Sequence, residues 1–230
     1  MVFQPFNPND AFHIHRQNLP HWRQWGTTYF VTSRLGDSVP SKIHVQWRER
    51  RDAWLRACGL RSAQDLDKLT EEQRHEYHRE FTAKFHDLLD AGHGECHLAT
   101  PALANLLTAR FMTGHGSEYH LDAWVVMPNH IHALVEPAPK SLLGDILKHW
   151  KGGSARDINL ALGRSGPLWQ VEPFDHIVRS EAQLQHFRRY IALNPSKAGL
   201  QQGFELGMGS ESGLSADEVL ARSGLTRDVK

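Results

Sequence analysis

Two strand-like runs separated by a Pro-Asn pair constrain the fold of this chain more than any other feature. The runs YHLDAWVVM (119–127) and HIHALVE (130–136) are rich in apolar and β-branched residues, and Pro128-Asn129 between them is typical of a turn. Strands joined by so short a turn pair antiparallel. The sheet that holds them must therefore contain an antiparallel hairpin.

Strand-like and helical segments alternate around this hairpin, which predicts an α+β class. We expect a first strand over 26–35, an inserted helical hairpin over 41–91 that opens its second helix with a Thr70–Gln73 capping box, and a helix over 100–112. We also expect a helix over 141–162 interrupted at Gly152-Gly153 and a short strand over 173–179. A last helix should begin at Ser180, with a capping box to Gln183, and end near Asn194, because a residue before proline disfavours the α region.

Length and composition are those of an ordinary globular protein. The chain has 230 residues, 40% of them hydrophobic, and no apolar run approaches the roughly 20 residues of a membrane helix. The N-terminal stretch resembles no export signal, so we expect a cytoplasmic protein. The two cysteines, Cys58 and Cys96, indicate neither a disulfide framework nor a zinc knuckle. We predict one catalytic domain over 1–200 and a tail with a short helix over 201–230.

Charge is unevenly spread along a chain whose formal net charge is zero. Residues 1–46 contain 4 basic and 2 acidic side chains, and residues 140–200 contain 9 and 5, whereas residues 91–139 contain 1 and 4. The two basic blocks flank the histidine strand. This pattern is compatible with a phosphate-binding face on a neutral protein and equally with ordinary surface variation.

The histidine strand offers a candidate metal site. Residues i and i+2 of a strand point to the same face, so His130 and His132 project together while Ile131 points into the core. Two imidazoles on one face can bind a divalent ion and leave positions for water or substrate. A second copy of the motif, His13 and His15, lies in a Pro- and Asn-rich lead-in without a strand pattern, and we do not expect a metal there.

The last predicted helix carries a second group of polar side chains. His186, Tyr190 and Asn194 are spaced at i, i+4 and i+8, beside an apolar stripe. A tyrosine there is usually a half-buried core residue, and an asparagine before proline is usually a helix terminator. Alternatively, Tyr190 and Asn194 share a face on which a hydroxyl and an amide oxygen could both reach one metal ion.

Two segments of the sequence, one with the histidine strand and one with the last helix, resemble a known protein family. The segments AWVVMPNHIHALVEP and LWQVEPFDHIVRSEAQLQHFRRYIALNPSKAGL resemble the REP-associated tyrosine transposases, relatives of the single-tyrosine insertion-sequence transposases in the HUH nuclease superfamily. The resemblance implies an antiparallel HUH core of the ferredoxin-like (RRM-like) type with flanking helices. The tail departs from the family, because it lacks the Trp-Pro stretch that usually follows the Lys-Ala-Gly element.

The resemblance also implies a reaction. It assigns Mg or Mn to His130, His132 and Asn194, and it makes Tyr190 a nucleophile that forms a covalent 5'-phosphotyrosine, with the metal or a basic neighbour such as His186 helping to remove its proton. The implied substrate is single-stranded DNA at the foot of a REP-like palindromic hairpin, cut and rejoined by a monomer or a homodimer. Basic side chains would then contact phosphates, and aromatic rings would stack on unpaired bases. The candidate DNA-contact residues are Trp22, Arg23, Trp25, Lys148, Lys151, Arg156, His176, Arg179, Arg188, Arg189 and Lys197.

Two other classes of protein remain as alternatives. A metal-dependent hydrolase of small molecules could also begin with a His-x-His strand, but it would need an eightfold βα pattern that this sequence lacks. A catalytically silent hairpin-binding protein could keep the same fold for regulation. The presence of Tyr190, His130, His132 and Asn194 together argues against this second alternative.

Overall fold

A five-stranded antiparallel sheet organises the computed structural model, which describes residues 3–209. The spatial order of the strands is β6-β3-β5-β4-β7, and every neighbouring pair is antiparallel. The predicted hairpin of two runs joined at Pro128-Asn129 forms β4 and β5. The strands are β3 (Tyr29–Arg34), β4 (Tyr119–Val126), β5 (His130–Pro137), β6 (Phe174–Ile177) and β7 (Glu205–Met208).

The connections between the four strands β3 to β6 give a ferredoxin-like βαββαβ unit. Helix α4 (Pro101–Thr113) connects β3 to β4, and α5 (Leu143–Ala161) connects β5 to β6. Strand β3 lies between β6 and β5, and β4 lies outside β5. The predicted α+β class with an antiparallel, ferredoxin-like core is confirmed. The antiparallel sheet excludes the parallel βα barrel of the hydrolase alternative.

The two faces of the sheet pack against different helices because side chains alternate along each strand. Ile131, Ala133 and Val135 of β5 lie in one apolar core with residues of α4 and α5. Leu134 lies in a second core with residues of α6 (Glu181–Lys197). His130 and His132 lie on the same face of β5 as Leu134, because side chains alternate along the strand. Both imidazoles therefore project toward α6.

Between β3 and α4 the chain forms a helical arm, residues 41–91, as predicted for the insertion. It contains α1 (Ser41–Ala57), a 3-10 turn (Ala63–Lys68), and then α2 (Glu71–Tyr77), a π-helical segment (His78–Ala83) and α3 (Lys84–Asp90) in direct succession. The predicted capping box at Thr70 and Gln73 is present. The arm has its own apolar core, formed by Leu55, Ala63, Leu69, Tyr77 and Phe81.

The N-terminal region contains a strand pair that the sequence did not predict. Strand β1 (Phe12–Arg16) pairs antiparallel with β2 (Pro20–Gln24), so His13 and His15 lie on a strand rather than in an irregular lead-in. Aromatic packing stabilises this short pair, since the Phe12 and Trp22 rings stack with centroids 5.1 Å apart. The pairing depends on contacts made across the turn, which the alternation within one strand did not reveal.

Helix α5 is continuous, and the predicted interruption at Gly152-Gly153 is wrong. A Cβ atom at Gly153 would lie 2.9 Å from Nε of Arg110, whose guanidinium pairs with Asp157. The glycine therefore makes room for the close approach of α4 and α5, and that packing outweighs the weak helix propensity of glycine.

Helix α6 begins as predicted but ends later than predicted. The hydroxyl of Ser180 accepts a hydrogen bond from the backbone N–H of Gln183, which is half of the predicted capping box. The Gln183 side chain accepts its hydrogen bond from the backbone N–H of Arg179 and not from that of Ser180. The helix then runs past Asn194 to Lys197 with a buried Pro195 inside it. Proline removes only its own N–H, and Ala198 still donates to the Asn194 carbonyl.

Strand β7 extends the sheet beyond residue 200, where we placed the domain boundary, and it pairs with the edge of β4. The predicted tail helix lies outside the described residues. None of the helices between residues 3 and 209 has the length and apolarity that a bilayer crossing requires.

Candidate metal and tyrosine site

The two histidines of β5 are fully buried between the sheet and α6. Each has 0% relative exposure, and their ring centroids are 4.8 Å apart. The hydroxyl of Thr32, directly opposite on β3, is 2.8 Å from Nδ1 of His132. This hydrogen bond fixes the ring, so that Nε2 of His132 points toward α6.

The Pro-Asn turn orients the other imidazole. Asn129 is buried, its Nδ2 donates to the His93 carbonyl at 2.9 Å, and its Oδ1 is 2.7 Å from Nδ1 of His130. An amide oxygen only accepts, so Nδ1 of His130 carries the proton and Nε2 keeps its lone pair. Sequence reasoning treated Asn129 as a turn residue and missed this contact.

Three buried polar atoms beside the histidines have no hydrogen-bond partner. They are Nε2 of His130, Oδ1 of Asn194 and Oδ2 of Asp90. The Asn194 amide is oriented by its Nδ2, which donates to Oδ1 of Asp90 at 3.2 Å, and that same oxygen is 3.6 Å from Nε2 of His130. Buried polar atoms are rarely left unsatisfied, so each of these atoms needs an explanation.

A divalent cation explains them. One ligand atom each from Asp90, His130 and His132 lies within 4.8 Å of the others. Imidazole nitrogens together with carboxylate and amide oxygens form a donor set that suits Mn²⁺, Mg²⁺ or Zn²⁺. The residues therefore form a candidate site for a divalent metal, and the donor set does not select among these ions.

Burial keeps the histidines in the form that a metal needs. It lowers the pKa of His130 to about 3 and that of His132 well below the ordinary value, with neighbouring imidazoles adding to the effect. Both rings are therefore neutral at physiological pH, which is the state of a ligating histidine. Burial raises the pKa of Asp90, while the nearby Lys197 ammonium opposes that rise.

Tyr190 lies next to this cluster on α6. Its hydroxyl is 3.5 Å from Nε2 of His132, at the outer limit of a hydrogen bond, and its ring packs edge-on against His132 and Phe30. Burial raises the pKa of the Tyr190 phenol, and the negative charges of Asp90 and Asp87 raise it further. The phenol is therefore fully protonated in this environment.

The helical arm supplies two residues that sequence reasoning missed. Helix α3 places His86 with its ring centroid 5.3 Å from that of His132 and 5.7 Å from that of Tyr190. It places Asp90, one helical turn later, beside His130. The only sequence signal was that spacing of four, on a segment predicted only as an inserted helical hairpin. His186, which we considered as a basic neighbour of the tyrosine, is exposed and contacts Phe187 instead.

Several candidate DNA-contact residues are already paired within the protein. Arg188 is buried and makes two hydrogen bonds to Asp122, at 2.7 and 2.6 Å, and Arg23 makes two to Asp175. The ammonium of Lys197 pairs with Asp87 and lies 3.3 Å from Oδ2 of Asp90. These cations first balance carboxylates of the same chain, a role that sequence spacing could not reveal.

The remaining candidates have mixed surroundings. Arg179 lies over the rings of Phe6 and Trp22, and Lys151 donates to the carbonyls of Gln170 and Val171. His176 lies on the α6 side, next to Phe187, and is 2.9 Å from the amide of Gln183. The exposed members of the set are Trp25, Lys148, Arg156 and Arg189.

A groove of about 790 Å³ lies between the β1–β2 pair and the first half of α5. It is lined by aromatic and basic side chains, among them Trp25, which is 58% exposed, and Lys148. Asp175 of β6 lines the groove, whereas the next residue, His176, faces α6. The groove and the histidine face therefore lie on opposite sides of edge strand β6.

Part of the chain matches a known protein family. Residues 109–194 match the family model described as IS200-like transposase. The match begins near the end of α4 and includes His130, His132, Tyr190 and Asn194, while the helical arm precedes it. This segment of the chain, which holds the histidine strand and the tyrosine helix, is therefore similar to the IS200-like transposases.

Two solved structures are similar to the chain. One, described as the structure of a REP-associated tyrosine transposase bound to a REP hairpin, is 17% identical, covers 78% of this chain and 74% of its own, and has a TM-score of 0.38. The other, a Deinococcus radiodurans R1 protein described as a transposase, is 16% identical, covers 75% and 93%, and has a TM-score of 0.30. Both TM-scores are below 0.5, so the similarity to transposases rests on the sequence match of residues 109–194. No curated protein matches the chain.

Proposed function

We propose that the protein is a metal-dependent single-stranded DNA endonuclease and strand transferase that acts at REP-like palindromic hairpins through a covalent 5'-phosphotyrosine. The observation that carries this proposal is the Tyr190 hydroxyl beside a buried cluster of unsatisfied donor atoms. A core tyrosine would not need such a cluster next to it. The match of residues 109–194 to the IS200-like transposase family model supports DNA as the substrate.

His130, His132 and Asn194 would hold Mg or Mn. When bound, the ion supplies a Lewis acid that polarises the scissile phosphate and stabilises charge in the transition state. The protein contributes the orientation of the ligands. Asn129 and Thr32 fix the two imidazoles, and Asp90 fixes the amide of Asn194.

Tyr190 would carry the covalent step. Its phenolic oxygen forms a bond to phosphorus while the bond from phosphorus to the 3'-oxygen breaks, and the tyrosine remains attached to the 5'-phosphate. The phenol loses its proton, and the departing 3'-oxygen gains one to become a hydroxyl. Because the phosphotyrosine keeps the energy of the original diester, a second 3'-hydroxyl can reverse the step and join strands without ATP.

The DNA would occupy the groove beside β1, β2 and α5. Trp25 offers an exposed ring for an unpaired base, and Lys148 offers a cation for a phosphate. Because the groove and the histidine face lie on opposite sides of β6, a strand in the groove would reach Tyr190 by passing over that edge. Arg156 and Arg189 add exposed positive charge on α5 and α6.

The test is a denaturing-gel assay with a labelled single-stranded hairpin and Mn²⁺. Wild-type protein should yield a covalent protein–DNA adduct, and Tyr190→Phe should yield none while still binding the hairpin, because only one hydroxyl is lost. Tyr77→Phe, a change in the core of the arm, is the matched control and should retain the adduct. An undiminished adduct with Tyr190→Phe would show that another residue attacks.

The same assay separates the enzyme from a silent DNA-binding protein. A wild-type protein that binds the hairpin but gives no adduct at any metal concentration would favour the silent alternative. The hairpin with its single-stranded flank should also bind better than a fully paired duplex of the same sequence, and both affinities should fall with salt. Equal affinity for the two forms would point to simple backbone attraction.

A further inference from the structure

The helical arm covers the tyrosine and the histidines with a polar surface. Helix α3 presents His86 and Asp90, one turn apart, to the site. The side chain of Asp90 is only 8% exposed, and Lys197 of α6 lies between it and Asp87. At the site, therefore, α3 touches α6 through ion pairs and one amide hydrogen bond, and it touches the sheet through the His86 ring.

The apolar core of the arm is separate from the two cores of the sheet. Its members pack mainly against other residues of the arm. Separation of α3 from the site would therefore leave the core of the arm intact, whereas it would uncover Tyr190 and the two buried histidines. Polar contacts of this kind release more readily than apolar ones because water can replace them.

The unsatisfied oxygen of Asp90 points to what holds the arm in place. A buried carboxylate with one oxygen unsatisfied is unfavourable unless a cation or a donor meets it. The ammonium of Lys197 lies 3.3 Å from that oxygen in an ion pair that offsets part of its charge, without the geometry of a well-directed hydrogen bond. Nε2 of His130, also unsatisfied, lies 3.6 Å from the other oxygen. An ion between Asp90 and the histidines would satisfy all of these atoms together.

We propose that Asp90 is a ligand of the divalent metal, so that metal binding and docking of the helical arm over Tyr190 are one coupled event. This inference rests on the proposed metal site and extends it to a residue far from the His-x-His strand. An ion that binds the docked form more tightly than the undocked form must stabilise docking by the same factor. Metal would thus close the arm, and loss of metal would open the site.

The test measures metal binding without DNA or turnover. Mn²⁺ affinity is determined by titration calorimetry for the wild type, Asp90→Ala and the matched control Asp87→Ala. Both variants lose a carboxylate near Lys197, but only Asp90→Ala loses a proposed ligand. The Asp87 side chain is 57% exposed, so its removal should disturb the buried site little. Asp90→Ala should weaken Mn²⁺ binding at least about tenfold. Asp87→Ala should stay within about twofold of the wild type, since exposed ion pairs contribute little.

Hydrogen–deuterium exchange of the wild-type protein and of Asp90→Ala tests the coupling itself. Mn²⁺ should slow exchange across the π-helical segment and α3, His78–Asp90, and Asp90→Ala should abolish that protection. If Asp90→Ala binds Mn²⁺ as tightly as the wild type while His130→Ala does not bind it, Asp90 is not a ligand and the proposed metal site still stands. If Mn²⁺ binds the wild type without slowing exchange in the arm, the coupling is overturned. Should Asp90→Ala fail to fold, the near-isosteric Asp90→Asn replaces it, with a smaller expected loss of affinity.

Discussion

The molecule buries two clusters of histidine and carboxylate, and they differ in how their polar atoms are satisfied. On the groove side, His21 lies between Asp175 and Glu172, with ring nitrogens 2.6 and 2.9 Å from the two carboxylates, and Arg23 also pairs with Asp175. On the α6 side, His130 and its neighbours leave three buried polar atoms without a partner. Both clusters connect distant parts of the chain, but only the second combines its internal hydrogen bonds with buried polar atoms that are left unsatisfied.

The protonation states of the two clusters differ in the same way. Burial alone would lower the pKa of His21, but hydrogen bonds and charges from Asp175 and Glu172 outweigh it and raise the pKa above its ordinary value. Burial lowers the pKa of His130 to about 3. The first cluster is an ion-pair network that holds β2 against β6, while the second combines two neutral imidazoles with the Asp90 carboxylate, a donor set that suits a divalent cation. Burial of histidine does not indicate function by itself; several unsatisfied polar atoms gathered at one place, as at His130, Asp90 and Asn194, support it.

The largest expected difference is in metal dependence. His130→Ala or His132→Ala should weaken Mn²⁺ binding by more than about 100-fold and abolish cleavage, because one imidazole cannot position the ion. His21→Ala should leave Mn²⁺ affinity per folded molecule unchanged, and so should the double change of His13 and His15. Titration calorimetry and the hairpin-cleavage assay measure both effects. Loss of the metal requirement on changing His13 and His15 would relocate the site.

The next effect is on stability. Here the groove-side cluster should show the larger loss, whereas in metal binding the α6-side cluster does. Asp175 is 1% exposed and balances two cations, so Asp175→Ala should cost roughly 3–5 kcal/mol of unfolding free energy. In metal-free protein, Asp90→Ala removes one hydrogen bond and an ion pair and should cost about 1 kcal/mol. Urea denaturation with a chelator present measures both. Equal losses would mean that the α6 cluster is as structural as the groove cluster.

The two clusters should also give opposite pH dependences in metal-free protein. His130 has a folded pKa of about 3, below its unfolded value, so its contribution is complete above about pH 6.5 and is lost as pH falls. His21 has a raised folded pKa, so its contribution is complete below about pH 6.5 and is lost as pH rises through that pKa. Each effect can reach about 1.4 kcal/mol per pH unit. In plots of the unfolding free energy against pH, His130→Gln should flatten the acid side and His21→Gln the alkaline side. Unchanged slopes in both variants would contradict the assigned pKa shifts.

The smallest effect concerns the hydrogen bonds that orient the imidazoles. Thr32→Val keeps the shape of the side chain but removes the hydroxyl 2.8 Å from Nδ1 of His132. Mn²⁺ affinity should fall by roughly tenfold, with the fold retained. Thr27→Val, on the same segment but away from the site, is the control and should leave affinity unaltered. An unaltered affinity in Thr32→Val would mean that packing alone orients the ring.

The sequence by itself determined what depends on neighbouring residues. A period of two placed His130 and His132 on one face, a period of 3.6 placed Tyr190 and Asn194 on one side of a helix, and a Pro-Asn turn required an antiparallel hairpin. These patterns fix local geometry because backbone dihedrals and side-chain direction repeat over a few residues. They were sufficient to predict the class of the fold and the identity of four candidate site residues, although the roles of those residues stay predictions.

Only the tertiary structure decided which distant residues meet. The hydrogen bond between Asn194 and Asp90 joins residues 104 positions apart, and the one between Arg188 and Asp122 joins residues 66 apart. Neither pair leaves a periodic trace in the sequence, because the contacts depend on how the helical arm and α6 dock on the sheet. Docking is set by the combined shape and charge of whole surfaces, so Asp90 and His86 had no local signal of their own. For the same reason, a proline that should have ended α6 is kept inside it by burial.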